Sequence, residues 1–546
     1  MMADTTVRQF RQILLWPLQL TPMQEGVQIQ KHSELFAQVQ NNPWSEVADP
    51  FCEDQTRFLE RHYREFVTFL PHVQRFLYGQ GMGEAVKRSY GESPIRAFRR
   101  NDLAKVRITN ANSEDVTLFD IERAELYFFY DLDIAILALE IGAENIDLAR
   151  VQDMLFQFGR AYPAYWEDGG VAAHCVKRVA WLSQAGEVLA ASDYERREKY
   201  LAFVRRHRAP CIAAHWEYLL EPMALHHSER KGAIRYRQIE HYRMPSLAYL
   251  ALDAPTQLTR GDFARLALAA EAGDSNTLPY SEQYLADFEQ RYCYDRHWDE
   301  HNPTKRNTRF MCSSHGFVMV GDYNQRFFID AQTGLLGQFR HQYFLLGLIV
   351  YFHRAALLML SDRLIGSISK LDIQHPESIR QFKRAIRHIQ EIFLRFTHRY
   401  WFHEVSEQVP VRDLFKRWSN QLGTDQLFAE TREEIDDMSR YLERDGLRRQ
   451  ANTVVRLTVV TTFGLIGTVA TGFLGMNLIS AAEQPLLVKI IYFLAVFIPV
   501  MALTFYTIMK SKRLSDFLDL LPDDRVSSKT KLAAFIRVWK HHPGDA

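Results

Sequence analysis

The residues best placed to do chemistry are Gly475, Met476 and Asn477, which sit near the end of an uncharged run that begins after Arg456 and stops at Glu483. An asparagine beside a glycine at the end of an apolar helix sets an amide oxygen and accessible backbone carbonyls at one mouth of that helix. Repeated around a symmetric axis, such oxygens accept hydrogen bonds from the water shell of a divalent cation. That spares an ion such as magnesium the dehydration it resists. Glu483 would raise the local cation concentration at the same mouth. The alternative is an ordinary interfacial cap.

Two elements must position these residues. The first uncharged run, residues 457–479, and a second, 490–509, each meet the roughly 20-residue length that crosses hydrocarbon. Arg448, Arg449 and Arg456 precede the first, and Lys510, Lys512 and Arg513 follow the second, whereas the link holds only Glu483 and Lys489. The excess of cations beside both outer ends predicts a multi-pass membrane protein with both termini cytoplasmic, and the expected location is the plasma (inner) membrane. Along the first run Thr461, Gly464, Thr468, Thr471 and Gly475 recur at steps of three and four. This stripe suits either close helix packing or the wall of a narrow wet pore.

Residues 1–335 read as a cytoplasmic α/β domain. Ile134 to Ile141 suits a buried strand, and Leu148, Val151, Leu155 and Phe158 follow at helical spacing behind Asn145 and Asp147 as caps. Further strands are expected at 104–109, 125–130 and 234–238, with a hairpin over 309–313 and 317–320 turning at Ser314 to Gly316. From 336 to 455 the pattern is that of long stalk helices. Phe344 to Leu360 is apolar enough to span a membrane, but His353 and Arg354 near its centre favour a buried helix, since an arginine there costs about 2.5–3.5 kcal/mol. No proline lies between Pro410 and Pro485, so one helix can run from the stalk into the first span, with Phe428, Thr431, Ile435, Met438 and Leu442 as its packing seam. Residues 511–546 form a cytoplasmic tail.

Other groupings carry less. Cys293, His297 and His301 lie four apart and would share a helix face, with Cys312 and His315 nearby. Their sulfur and imidazole ligands suit zinc, although the spacing fits no closed zinc module. Glu433, Glu434, Asp436 and Asp437 cluster in the stalk, where a charged helix exterior is the simpler reading. His226, His227, His388, His398 and His403 read as solvated. Sixty-six basic residues balance sixty-six acidic ones, which speaks against a nucleic-acid surface. Gly79, Gly81 and Gly83 lack the Lys-Ser/Thr ending of a phosphate loop, and no local catalytic grouping points to an enzyme or a bound cofactor. The run Ile13 to Leu20, broken by Pro17 and Gln19, is no secretory signal. The five unpaired-looking cysteines fit reduced thiols.

A Gly-Met-Asn tripeptide closing the first of two C-terminal spans resembles the CorA-like divalent cation transporters, and Asn452, Arg456 and Leu457-Thr458 are similar to that family's approach to the first span. Leu474 replaces the aromatic that usually precedes the tripeptide, and the link lacks the family's usual Met-Pro-Glu-Leu run. The resemblance covers residues 450–513. It implies a homopentamer whose first spans line the pore, with Gly475, Met476 and Asn477 as filter and Leu457, Leu465, Thr468 and Gly472 as pore lining. It also implies passive uptake of Mg2+, with zinc or cobalt and nickel transport as the alternative within the family. It would make the stalk acids an intracellular magnesium sensor. A membrane-anchored sensor or scaffold without transport is the alternative from another class.

Overall fold

Near the middle of a 14-stranded sheet in the computed structural model lies its longest strand, β1 (Thr6–Thr21). The other strands are β2 (Trp44–Glu46), β3 (Ile95–Arg100), β4 (Lys105–Thr109), β5 (Val116–Phe129), β6 (Ile134–Asp147), β7 (Arg178–Leu182), β8 (Val188–Ala191), β9 (Ala224–Leu225), β10 (Arg235–Gln238), β11 (Ser246–Leu252), β12 (Cys293–His297), β13 (Thr308–Ser313) and β14 (Gly316–Asp322). Their order is β12-β13-β14-β11-β1-β6-β5-β4-β7-β8, with β10 also on β1, β9 on β10, and β3 joining β2 to β5. Among the described strands only β11 with β14 and β9 with β10 are parallel. The structure describes residues 5–21, 32–48, 59–79, 94–110, 115–130, 132–230, 232, 234–240, 243–302, 307–372, 375–475, 485–495, 497–502 and 506.

β1 is buried continuously from Gln12 to Leu20 because helices cover both faces of the sheet. On one face Trp16 meets Trp216 and Tyr236 at ring distances of 5.9 and 6.5 Å, and Gly159, just past the helix Leu148–Gln157, lies against Leu14. On the other, the core helix Phe344–Ser369 lies across β1 and β6, and a Cβ added at its Gly347 would stand 3.5 Å from Leu15 and 2.7 Å from Trp418. Pro17 fits this central strand because it falls where one neighbour gives way to another. Pairing with β11 ends at Leu14 opposite Ser246, and pairing with β10 begins at Leu18 opposite Gln238. The N–H of Leu15 reaches Pro245 on that edge, so the missing donor two residues on faces the gap.

The core helix is long and apolar enough to cross a membrane when taken with the turns before it (Leu335–Ser369, with an 18-residue window of mean hydropathy 1.8), but 78% of that window is buried inside the fold. Its central polar groups are already engaged. His353 Nε2 lies 2.6 Å from the carbonyl of Tyr400, and Arg354 donates to Glu240 and to the carbonyl of Leu422. This agrees with the expected buried helix.

The chain divides into two compact units, residues 1–435 and 436–546, and the boundary falls inside one continuous helix, Thr424–Gly475. The expected boundary at 335 is therefore corrected, because the core helix and the helix Val409–Leu422 pack on the sheet as part of its own unit. Gly423, with φ +63°, separates Val409–Leu422 from the long helix, a left-handed stop that glycine adopts without strain. Of the expected seam, Phe428 stacks on Trp401 at 4.5 Å, and Thr431 and Ile435 are buried; Met438 and Leu442 belong to the second unit.

Under the π-helical turn Phe339–Tyr343, which leads into the core helix, the sheet buries charge. Glu140 of β6 is fully buried, with Arg340 Nε at 2.6 Å and Arg123 Nε at 3.2 Å. The Arg123 N–H is poorly aimed at the carboxylate, so charge pairing rather than a good hydrogen bond joins them. Burial opposes the Arg123 charge, yet Glu140 and Glu125 outweigh it and raise its pKa. Removing only the acid leaves buried Arg123 with Glu125 at 3.9 Å and part-exposed Arg340 with Glu122 at 3.2 Å as their remaining acidic partners: Glu140→Ala is expected to destabilise this unit by about 3 kcal/mol, seen as a lower urea midpoint of the full chain.

His215 lies fully buried between Trp181, Tyr194 and Trp216, and burial drives its pKa down to about 3. The unfolded chain therefore takes up a proton that the native state refuses, so this residue makes stability fall as pH drops below about 6.5, by about 1.4 kcal/mol per pH unit. In His215→Gln the urea midpoint is expected to fall less steeply between about pH 6.5 and about pH 5 than in the parent protein.

Candidate functional site

The end of the long helix carries no charged residue from Leu457 to Gly475. At about 100° per residue, Leu457, Thr461, Gly464, Thr468 and Gly472 fall along one strip, with Leu465 at its margin. All six are exposed in the single chain, Leu457 at 67% and Leu465 at 65%. The threonine hydroxyls are committed to the helix itself. Thr458, Thr461, Thr468 and Thr471 donate to the carbonyls of Val454, Leu457, Gly464 and Gly467 at 2.7–2.9 Å. This local bond satisfies the polar group without a partner from outside.

About a quarter turn round from the strip, Gly467 is buried against a second apolar helix, Leu486–Ala502. A Cβ on Gly467 would lie 2.5 Å from Val500 Cγ1, so only glycine allows this approach. The second helix exposes Leu486 at 75% and Leu487 at 70% and stacks Phe493 on Phe497 at 5.2 Å. Gly475 is the last residue of the long helix. Met476, Asn477 and Glu483 lie outside the described residues.

The expected metal group is not brought together. Cys293 and His297 lie on strand β12 rather than on a helix, because the segment pairs with β13, Cys293 opposite Met311 and His297 opposite Thr308. Cys293 is buried and His297 exposed, His301 follows in a turn, Cys312 is buried in β13, and His315 sits in the β13–β14 turn. Burial pushes the Cys293 thiol up to about 12, away from the thiolate a metal needs. Glu433, Glu434, Asp436 and Asp437 are all exposed on the long helix. Among the described residues no group of three or more His, Cys, Asp or Glu is placed to hold a metal ion.

The sheet unit holds features that the sequence analysis missed. A cleft of about 810 Å³ between β5, β6 and the helix Leu148–Gln157 is lined by Asp115, Asp120, Glu122, Glu144, Asp147 and Asp153 together with Arg11 and Arg150. Both arginines are internally engaged, Arg11 with Glu122 at 3.5 Å and Arg150 with Thr117 and the Asp115 carbonyl. The buried pairs around Glu140 had one visible sign, a lone acid inside the run Ile134 to Ile141.

No protein-family model matches the chain, and no curated protein or solved structure matches it either.

The Gly467 approach is directly testable. Its built Cβ lies 4.0 Å from Val500 Cβ, within the 3.5–4.5 Å span of a disulfide. The double variant Gly467→Cys, Val500→Cys is expected to cross-link within one chain under mild oxidation, read as a linked peptide pair by mass spectrometry.

Proposed function

We propose that the chain is a divalent cation transporter, with several copies assembling in a membrane around a pore walled by the ends of their long helices. The observation that carries this reading is the exposed, uncharged strip from Leu457 to Gly472, which leads to Gly475-Met476-Asn477. An apolar surface of this extent needs lipid tails or other copies of the chain as cover. A strip alternating leucine with glycine and threonine suits a shared axis better than lipid alone. On this reading the two apolar helices form a membrane hairpin in the plasma (inner) membrane, the cations on its outer flanks keep both termini cytoplasmic, and the copies form a homopentamer as in the CorA-like family.

Asn477 would accept hydrogen bonds from the ion's water shell, Glu483 would gather cations outside, and magnesium is the first-choice ion. A divalent ion moving inward gains about 4.6 kcal/mol per 100 mV of inside-negative potential, twice the single-charge value, so no nucleotide is required.

The test is ion flux into proteoliposomes holding the purified full chain, comparing magnesium, zinc, cobalt and nickel. Magnesium uptake is expected, reduced at least about tenfold in Asn477→Ala, which corresponds to about 1.4 kcal/mol or more at the filter. Preference for zinc, cobalt or nickel would reassign the ion. Undiminished flux in Asn477→Ala would remove the filter assignment. No flux from protein shown to be folded and oligomeric would favour a membrane-anchored sensor or scaffold.

A further inference from the structure

One hollow in the sheet unit is lined by hydrogen-bonding side chains with no acid among them. Arg61 and Arg64, from the helix Glu60–Thr68, face Gln338, His341 and Gln342 from the turns that open the core helix, with Gln332, Thr333 and Gly337 completing the lining. Its volume is about 30 Å³, room for a group of a few heavy atoms.

Arg61 is the unusual member. Its nearest polar neighbour is not a carboxylate but a ring nitrogen, His341 Nε2, at 3.1 Å from NH1. The other ring nitrogen of His341 lies 3.3 Å from Glu65, which also accepts from the Tyr78 hydroxyl at 2.7 Å. That acid holds the ring with Nδ1–H towards Glu65 and Nε2 as an acceptor for Arg61. The Nε–H of Arg61 remains buried without an acceptor, and among the described residues no carboxylate pairs with this guanidinium. A buried, unsatisfied donor on a cation is costly. Arg64 pairs with Glu60 at 2.8 Å across one exposed helical turn, a contact weak enough to exchange for a better acceptor.

We propose that this hollow binds a phosphate-class oxyanion, either free or as the phosphoryl group of a nucleotide, through Arg61 and Arg64 with the amides of Gln338 and Gln342 as neutral donors. Guanidinium groups match tetrahedral oxyanions through charge-assisted hydrogen bonds, and the amides add contacts that do not depend on charge. The bound anion joins the helix Glu60–Thr68 to the π-helical turn, whose Arg340 holds Glu140. Occupancy therefore stabilises the covering layer at the start of the core helix. The site stands apart from the proposed pore and does not rest on it.

The test is thermal unfolding of the purified full chain in detergent, titrated with inorganic phosphate, sulfate, ADP and ATP without magnesium at ionic strength held constant with chloride. A saturable rise in melting temperature is expected for phosphate, because a ligand of the native state stabilises by mass action. Arg61→Gln and Arg64→Gln are each expected to weaken binding roughly tenfold or more. The Arg64 change affects an exposed side chain and keeps the test sound if Arg61→Gln folds poorly. A nucleotide binding at least about tenfold more tightly than phosphate identifies a phosphoryl group on a larger ligand, and equal binding identifies the free ion. No saturable shift with any of the four anions, or undiminished shifts in both variants, overturns the site.

Discussion

The fold of the first unit depends on matching one buried carboxylate. Glu140 stands in a central strand of a sheet covered on both faces, so water cannot solvate it and cations from neighbouring elements must. Arg123 comes from the next strand and Arg340 from the turn above, which fixes where the core helix begins. That helix brings Gly347 against Trp418 and Arg354 to the end of Val409–Leu422, and Gly423 then turns the chain into its longest helix. A chain of specific contacts thus runs from the sheet centre to Thr424. Arg11 belongs to the same arrangement: its guanidinium lies over Gly142, directly opposite on β6, where any Cβ would collide with it.

The two units solve opposite problems. In residues 1–435 most of the large apolar side chains turn inward, and buried charges are held by ion pairs, as at Glu140, or by carbonyls and neutral side chains, as at Arg160, Asp262 and Arg265. Among the described residues from Leu457 on, Leu457, Leu465 and most apolar side chains of Leu486–Ala502 turn outward, and the hydroxyls of Thr458, Thr461, Thr468 and Thr471 turn back onto their own backbone. This inversion is what a hydrocarbon solvent demands, since unpaired polar groups are the expensive ones there and exposed leucines are not. It gives the proposed membrane reading a basis separate from the tripeptide motif. The buried apolar helix Phe344–Ser369 shows the contrast, for its length and composition resemble a span while its His353 and Arg354 are bonded within the fold.

Local periodicity made several elements legible. The run Ile134 to Ile141 lies in β6, the spacing from Leu148 gives a helix, and the hairpin around Ser314 and His315 falls where turn residues interrupt two apolar runs. β1 was not legible, because Pro17 and Gln19 break its pattern and only the change of partner strand along its edge makes Pro17 acceptable. The spacing of Cys293, His297 and His301 suggested a helix because four-residue steps carry no record of strand pairing, and β13 decided otherwise. Pro410, the last proline before the long helix, does not mark its start: it sits in the first turn of Val409–Leu422, and Gly423 makes the stop. The pairing of Arg61 with His341 joins residues far apart in sequence, and no local pattern encodes it.

The threonines of the long helix have one consequence for what the proposed pore could admit. A hydroxyl whose proton is held by a carbonyl one turn back can still accept a hydrogen bond but has none to give. Such a wall offers lone pairs to the outward-pointing protons of a cation's hydration water and nothing to an anion. It would discriminate by sign of charge without any formal charge of its own, and dissolved salt, which screens fixed ions, would have little there to weaken.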